Sequence, residues 1–125
     1  VIRYLLDTDC SIYAMLGTFP ALGHRLSECE VDEVAISAIS LAEIFMGEGR
    51  GKPPDMPVID AFLRVVPLLP FEESAARAYA NLPFRRRSFD RLIAAHAISL
   101  GATIVTNNEA DFADVAGLKV ENWTA

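Results

Sequence analysis

Apolar residues along the chain fall into two alternating patterns. Runs that are apolar at nearly every position occupy residues 2–6, 34–37, 66–69, 103–106 and 118–120, the signature of strands covered on both faces. Between them, apolar positions recur at helical spacing over residues 11–16, 20–29, 41–46, 58–65, 72–82 and 90–100. The last of these carries the clearest stripe and is followed by Gly101, where a helix C-cap glycine belongs. Strand, helix, strand repetition predicts an α/β domain over residues 1–125, with a parallel sheet and helices on both of its faces. Gly47, Gly49, Gly51, Pro53, Pro54 and Pro57 supply six of the fourteen glycines and prolines, which predicts a mobile loop over residues 47–57.

Composition narrows the class. With 125 residues and 52% apolar content, the chain can bury roughly two-thirds of its unfolded surface without help from disulfides. Cys10 and Cys29 form no C-x-x-C pair, which suits a reducing setting. No run approaches the ~18 apolar residues of a membrane span, and the start lacks signal-peptide features. A soluble cytoplasmic protein is expected. Seventeen acids against eleven bases leave a net charge of −6, the opposite of the usual footprint of a nucleic-acid binder.

The placement of those acids changes that picture. In an open parallel sheet, ligands bind beyond the carboxyl ends of the strands, where strand order reverses. Asp7 directly follows Tyr4-Leu5-Leu6, and a carboxylate ending a buried strand needs a compensating partner. Asp9, two residues on, belongs to the same cluster or, like Thr8, caps the next helix. Glu43 follows the second strand; with Ser40 it also fits the S-x-x-E capping box, in which it bonds back to the helix start. Asp90 opens the strongest helix, and Ile93, Ala94 and Ala97 fall within about 60° of it on the helical wheel. The helix dipole explains an acid at that end but not its inward facing. His96 lies about 240° around from Asp90 and, like His24, reads as a surface or supporting residue. Asp111 follows the fourth strand, in a Thr106-Asn107-Asn108 stretch of ordinary turn residues. Four converging carboxylates repel one another. A hard divalent cation removes that conflict, and oxygen-only donors favour Mg²⁺ or Mn²⁺ over zinc.

The segments Tyr4-Leu5-Leu6-Asp7-Thr8-Asp9, Ile39-Ser40-Leu41-Ala42-Glu43-Ile44, Asp90-Arg91-Leu92-Ile93-Ala94-Ala95-His96-Ala97 and Thr103-Ile104-Val105-Thr106-Asn107-Asn108-Glu109-Ala110-Asp111-Phe112 resemble, in order and spacing, the successive motifs of PIN-domain ribonucleases. The small size and the ending Gly117-Leu118-Lys119-Val120-Glu121-Asn122-Trp123 resemble the VapC toxins of type II toxin–antitoxin pairs. The resemblance implies a three-layer α/β/α sandwich whose acidic pocket holds Mg²⁺ or Mn²⁺ and cuts RNA, transfer or ribosomal, to stop translation. Its acids map onto Asp7, Glu43, Asp90 and Asp111; Asp9 stands where the family usually has Asn, and Thr106 and Asn107 match a polar stretch near the pocket. It also implies a homodimer and a VapB-type antitoxin whose C-terminal segment blocks the pocket, in some complexes with an inserted arginine. Tyr13, Met15, Leu16 and Phe19 would line the groove for that segment or belong to the core.

Arg85, Arg86, Arg87 and Arg91 put four of the eleven bases into seven positions, flanked by Phe84 and Phe89. They form either a solvated charge run or a rim beside Asp90 that meets RNA phosphates, with an aromatic under a base. Two other classes share the Asp7-Thr8-Asp9 start. An aspartate-nucleophile phosphatase needs a lysine near the pocket, and the chain has only Lys52 and Lys119. A non-enzymatic receiver-like domain gives Glu43 and Asp111 no role. Without Asp7, Glu43, Asp90 and Asp111, thirteen acids face eleven bases. The acidic total is thus largely that of a cation site, which is compatible with an RNA substrate.

Overall fold

The computed structural model describes residues 1–86 and 88–125. Five strands, β1 (Tyr4–Leu6), β2 (Val34–Ser37), β3 (Leu68–Leu69), β4 (Thr103–Val105) and β5 (Val120–Glu121), form one all-parallel sheet in the order β3-β2-β1-β4-β5. Strand order therefore reverses beside β1, the first strand laid down and the centre of the sheet.

The register explains the unbroken apolar runs. Leu5 pairs with Ala35 and Ile104, and these three point into one core with Ile93, Ala94, Ala97 and Phe112. Their neighbours Leu6, Ile36 and Val105 point to the opposite face, where they pack with Leu22, Leu41, Ile44 and Ile59. Helices α1 (Thr8–Leu16), α2 (Pro20–Ser27) and α4 (Met56–Leu63) cover this second face, together with one side of α3 (Ala38–Gly49). Helix α6 (Phe89–Leu100) lies on the first face with α5 (Glu73–Ala80) packed against it. The expected three-layer α/β/α sandwich is formed.

One expectation is corrected and one is resolved. Residues 47–57 are not one loop: α3 continues through Gly49 and α4 starts at Met56, leaving residues 50–55 as the connection. Leu41 and Ile44 anchor α3 in the core, and that packing outweighs the poor helix propensity of Gly47 and Gly49. His96 is buried, 2% exposed, with Nδ1 2.8 Å from the Ser37 hydroxyl and its ring edge-on to Phe71. Of the two readings, surface or supporting, the supporting one holds: its partner Ser37 caps α3. Among the described residues no helix is long and apolar enough to cross a membrane.

Candidate active site

At the carboxyl end of β1 the chain turns directly into α1, and Asp7 is the turn. The Asp7 N–H donates to the Val105 carbonyl at 3.0 Å, continuing the β1–β4 ladder. Its carboxylate accepts the Cys10 N–H at 2.8 Å and so caps α1. The cap is therefore Asp7 itself, not Thr8 or Asp9, and it is the compensating partner that a carboxylate 4% exposed requires. The neighbouring Thr106 and Cys10 side chains favour the charged form, yet burial outweighs them and pushes the Asp7 pKa above the usual carboxylate value. The same burial, with the Asp7 charge beside it, drives the Cys10 thiol far up and keeps it un-ionised.

Glu43 is not in a capping box. Ser37, at the end of β2, accepts the Ile39 N–H at 3.1 Å and starts α3 three residues before Ser40. Ser40 is left inside the helix, buried, and Glu43 sits in the second turn. Its carboxylate accepts the Thr8 hydroxyl at 2.6 Å, a tie between α3 and α1. This orienting role for Thr8 went unread in the sequence; its position between two acids was the available signal.

Asp90 lies in the first turn of α6, capped by Ser88, whose hydroxyl accepts the Arg91 N–H at 3.4 Å. Burial, then the charges of Asp7, Asp111, Glu43 and Asp9 in that order, raise its pKa to about 6. Asp90 thus feels the charge of acids carried by three other segments, of which Glu43 and Asp111 share its cavity. Asp111 occupies a 3₁₀ turn (Glu109–Phe112) after β4, and its carboxylate accepts from the Asn108 amide at 2.5 Å. Asp9 is exposed in the first turn of α1. Thr106 is fully buried beneath Asp7 and accepts the Asn108 N–H at 2.9 Å; the Asn107 backbone lies against the Cys10 sulfur.

Glu43, Asp90 and Asp111, with Arg85, Arg86, Ser88 and Phe89, line an open cavity of about 350 Å³. Arg85 and Arg86 are exposed at its wall, while Phe84, 81% exposed, and Phe89, 56% exposed, present bare rings. Arg87 lies outside the described residues. Arg91 is corrected: it is 1% exposed and bonded to Asp114, so it does not belong to an RNA-facing rim. Neither lysine lines the cavity. Tyr13, Met15 and Phe19 pack against the core and Leu16 alone of that group is exposed.

The donor set is oxygen-only, with like charge concentrated on Asp90, which suits a hard cation. Among the described residues no three acids stand close enough to cage one ion. Mg²⁺ and Mn²⁺ are commonly held by one or two carboxylates with water completing the shell, so the fit of such an ion rests on Asp90 with one neighbour and not on all four acids at once.

The PIN domain family model matches residues 4–118. The tRNA(fMet)-specific endonuclease VapC of Shigella flexneri is 30% identical over 99% of this chain and 100% of its own length. Among solved structures, VapBC2 of Rickettsia felis bound to a promoter DNA fragment superposes with a TM-score of 0.86 at 29% identity, covering 98% of this chain and 99% of that one. DNA-bound VapBC of Salmonella typhimurium gives a TM-score of 0.87 at 25% identity, with the same coverage.

Proposed function

We propose, from the premise that the chain belongs to the PIN-domain family and within it to the VapC ribonucleases, that it is the toxin of a type II toxin–antitoxin pair. It cuts RNA in the cytoplasm, using Mg²⁺ or Mn²⁺. Transfer RNA is the first substrate to test, because the Shigella and Salmonella relatives are named as tRNA(fMet)-specific endonucleases. A VapB-type antitoxin is the expected partner, the toxin a homodimer, and the pair a larger assembly, since the R. felis and Salmonella structures are VapBC complexes on DNA.

The observation that supports this most is the raised pKa of Asp90, about 6, produced by burial and four neighbouring acids beside an arginine-lined wall. A bound cation would lower the pKa of water and neutralise charge developing on the phosphate. Asp90 and one neighbouring acid would hold it directly, and the others among Asp7, fixed by the α1 cap, Glu43, oriented by Thr8, and Asp111 would act through water in its shell. Arg85 and Arg86 would meet the substrate's phosphates, and Phe89 would offer a surface on which a base stacks.

Purified chain should cut tRNA in Mn²⁺ or Mg²⁺, stop in EDTA and recover when the cation is restored. Equal cleavage in EDTA rules out the cation, and intact RNA under all conditions rules out the ribonuclease. For the rim, Arg86→Glu should weaken RNA binding and reduce the slope of log affinity against log salt by about one or more. A slope equal to that of the unaltered chain leaves Arg86 as solvated surface charge.

A further inference from the structure

Arg91 is the largest of the fully buried side chains, and a guanidinium taken out of water must be paired. Its Nη2 donates to Asp114 Oδ1 at 2.5 Å and to the Asp111 carbonyl at 3.4 Å. Asp114 also meets Arg85, on the cavity wall, at 3.5 Å. The other bonds of Asp111 stay within its own turn, to the Asn108 carbonyl and side chain. Arg91 follows Asp90 in sequence, so one buried side chain ties the helix that carries Asp90 to the turn that carries Asp111.

We propose that Arg91, held by Asp114, is a positioning residue that, through its bond to the Asp111 carbonyl, sets where the Asp111 carboxylate stands relative to Asp90. The inference rests on the reading of this pocket as a cation-dependent ribonuclease site. Both acceptors are served by Nη2, and among the described residues Nη1 is buried without a hydrogen-bond partner, so the burial of the planar group fixes where Nη2 stands; a lysine, with a shorter stem and a strongly hydrated ammonium, does not reproduce that placement. Partners behind ligating groups typically control metal affinity or activity by about 10- to 100-fold. An ion pair that only stabilised the fold would leave cation affinity unchanged.

The test uses Arg91→Lys, Asp114→Asn and the double variant. Mn²⁺ binding is read by calorimetry without RNA, and kcat and KM are read on tRNA. Each single variant should need about 10-fold more Mn²⁺ for half-saturation. At limiting Mn²⁺, kcat should fall with little change in KM, and excess Mn²⁺ should restore it. The double variant should be no worse than the more affected single one, as expected for residues acting as a unit. Wild-type Mn²⁺ affinity in both single variants, whatever their melting temperatures, overturns the proposal. If Arg91→Lys does not fold, Asp114→Asn decides alone, because Asp114 is 41% exposed and tolerates the change. A wild-type chain that binds Mn²⁺ yet leaves RNA intact overturns the ribonuclease reading, while calorimetry still decides the role of Arg91. One that binds no Mn²⁺ overturns both.

Discussion

Asp7→Asn should retain the fold and lose RNA cleavage by on the order of 100-fold or more, the scale expected when a charged group at the cation site is removed. Asp7 does two things: its oxygen caps α1 through the Cys10 N–H at 2.8 Å, and its charge acts on Asp90. Asparagine caps a helix about as well as aspartate, so the first role survives and the second does not. Because Asp7 is buried and its pKa raised, the neutral variant should also melt no lower than the cation-free parent. Asp7→Ala removes both roles and should cost a further ~1 kcal/mol, or roughly 3–6 °C in Tm at this size. Turnover measured beside thermal melting separates the two. Wild-type turnover in Asp7→Asn removes this residue from the chemistry.

What could be read in the sequence was what local pattern encodes. β1, β2 and β4 carry apolar side chains to two covered faces, so their runs are unbroken, and Asp7 is conspicuous as the first charge after one of them. The edge strands β3 and β5 are two residues each, too short to bound by pattern. Contacts between distant segments were not legible. Arg91 looks like surface charge until Asp114, 23 residues on, supplies its partner. His96 reads as surface or supporting until Ser37, 59 residues away, meets its ring and decides for the second. The capping box at Ser40 and Glu43 is a sound local motif overridden by Ser37, which the buried end of β2 places one turn earlier. In each case a local rule yields where tertiary structure offers a better partner, and two of these places, Glu43 and Arg91, adjoin the pocket.

The same crowding of acids predicts how cation binding and pH should act on stability. The Asp90 pKa is raised from 3.8 to about 6, so the folded chain holds that proton more tightly than the unfolded chain does. By linkage, the group favours folding below about pH 4, and its ionisation destabilises progressively until about pH 6, above which the cost is complete. Asp7 acts in the same direction. His96 acts in the opposite one, because burial depresses its pKa and stability is lost as pH falls below about 6.5. Asp90→Asn keeps His96 and therefore separates the two. Without divalent cations, the variant's Tm advantage over the parent should widen between pH 4.5 and 7.5. Mn²⁺ at about 100-fold over its Kd should stabilise the parent at pH 7.5 by about 2.7 kcal/mol, roughly 10 °C. The shift should shrink at pH 4.5, where Asp90 is protonated, and shrink in Asp90→Asn at either pH. Calorimetric melts in EDTA and in Mn²⁺ at the two pH values supply all four comparisons. An equal Mn²⁺ shift in parent and variant means that the ion binds elsewhere, and Asp90 is then an acid whose charge the fold tolerates for some other reason.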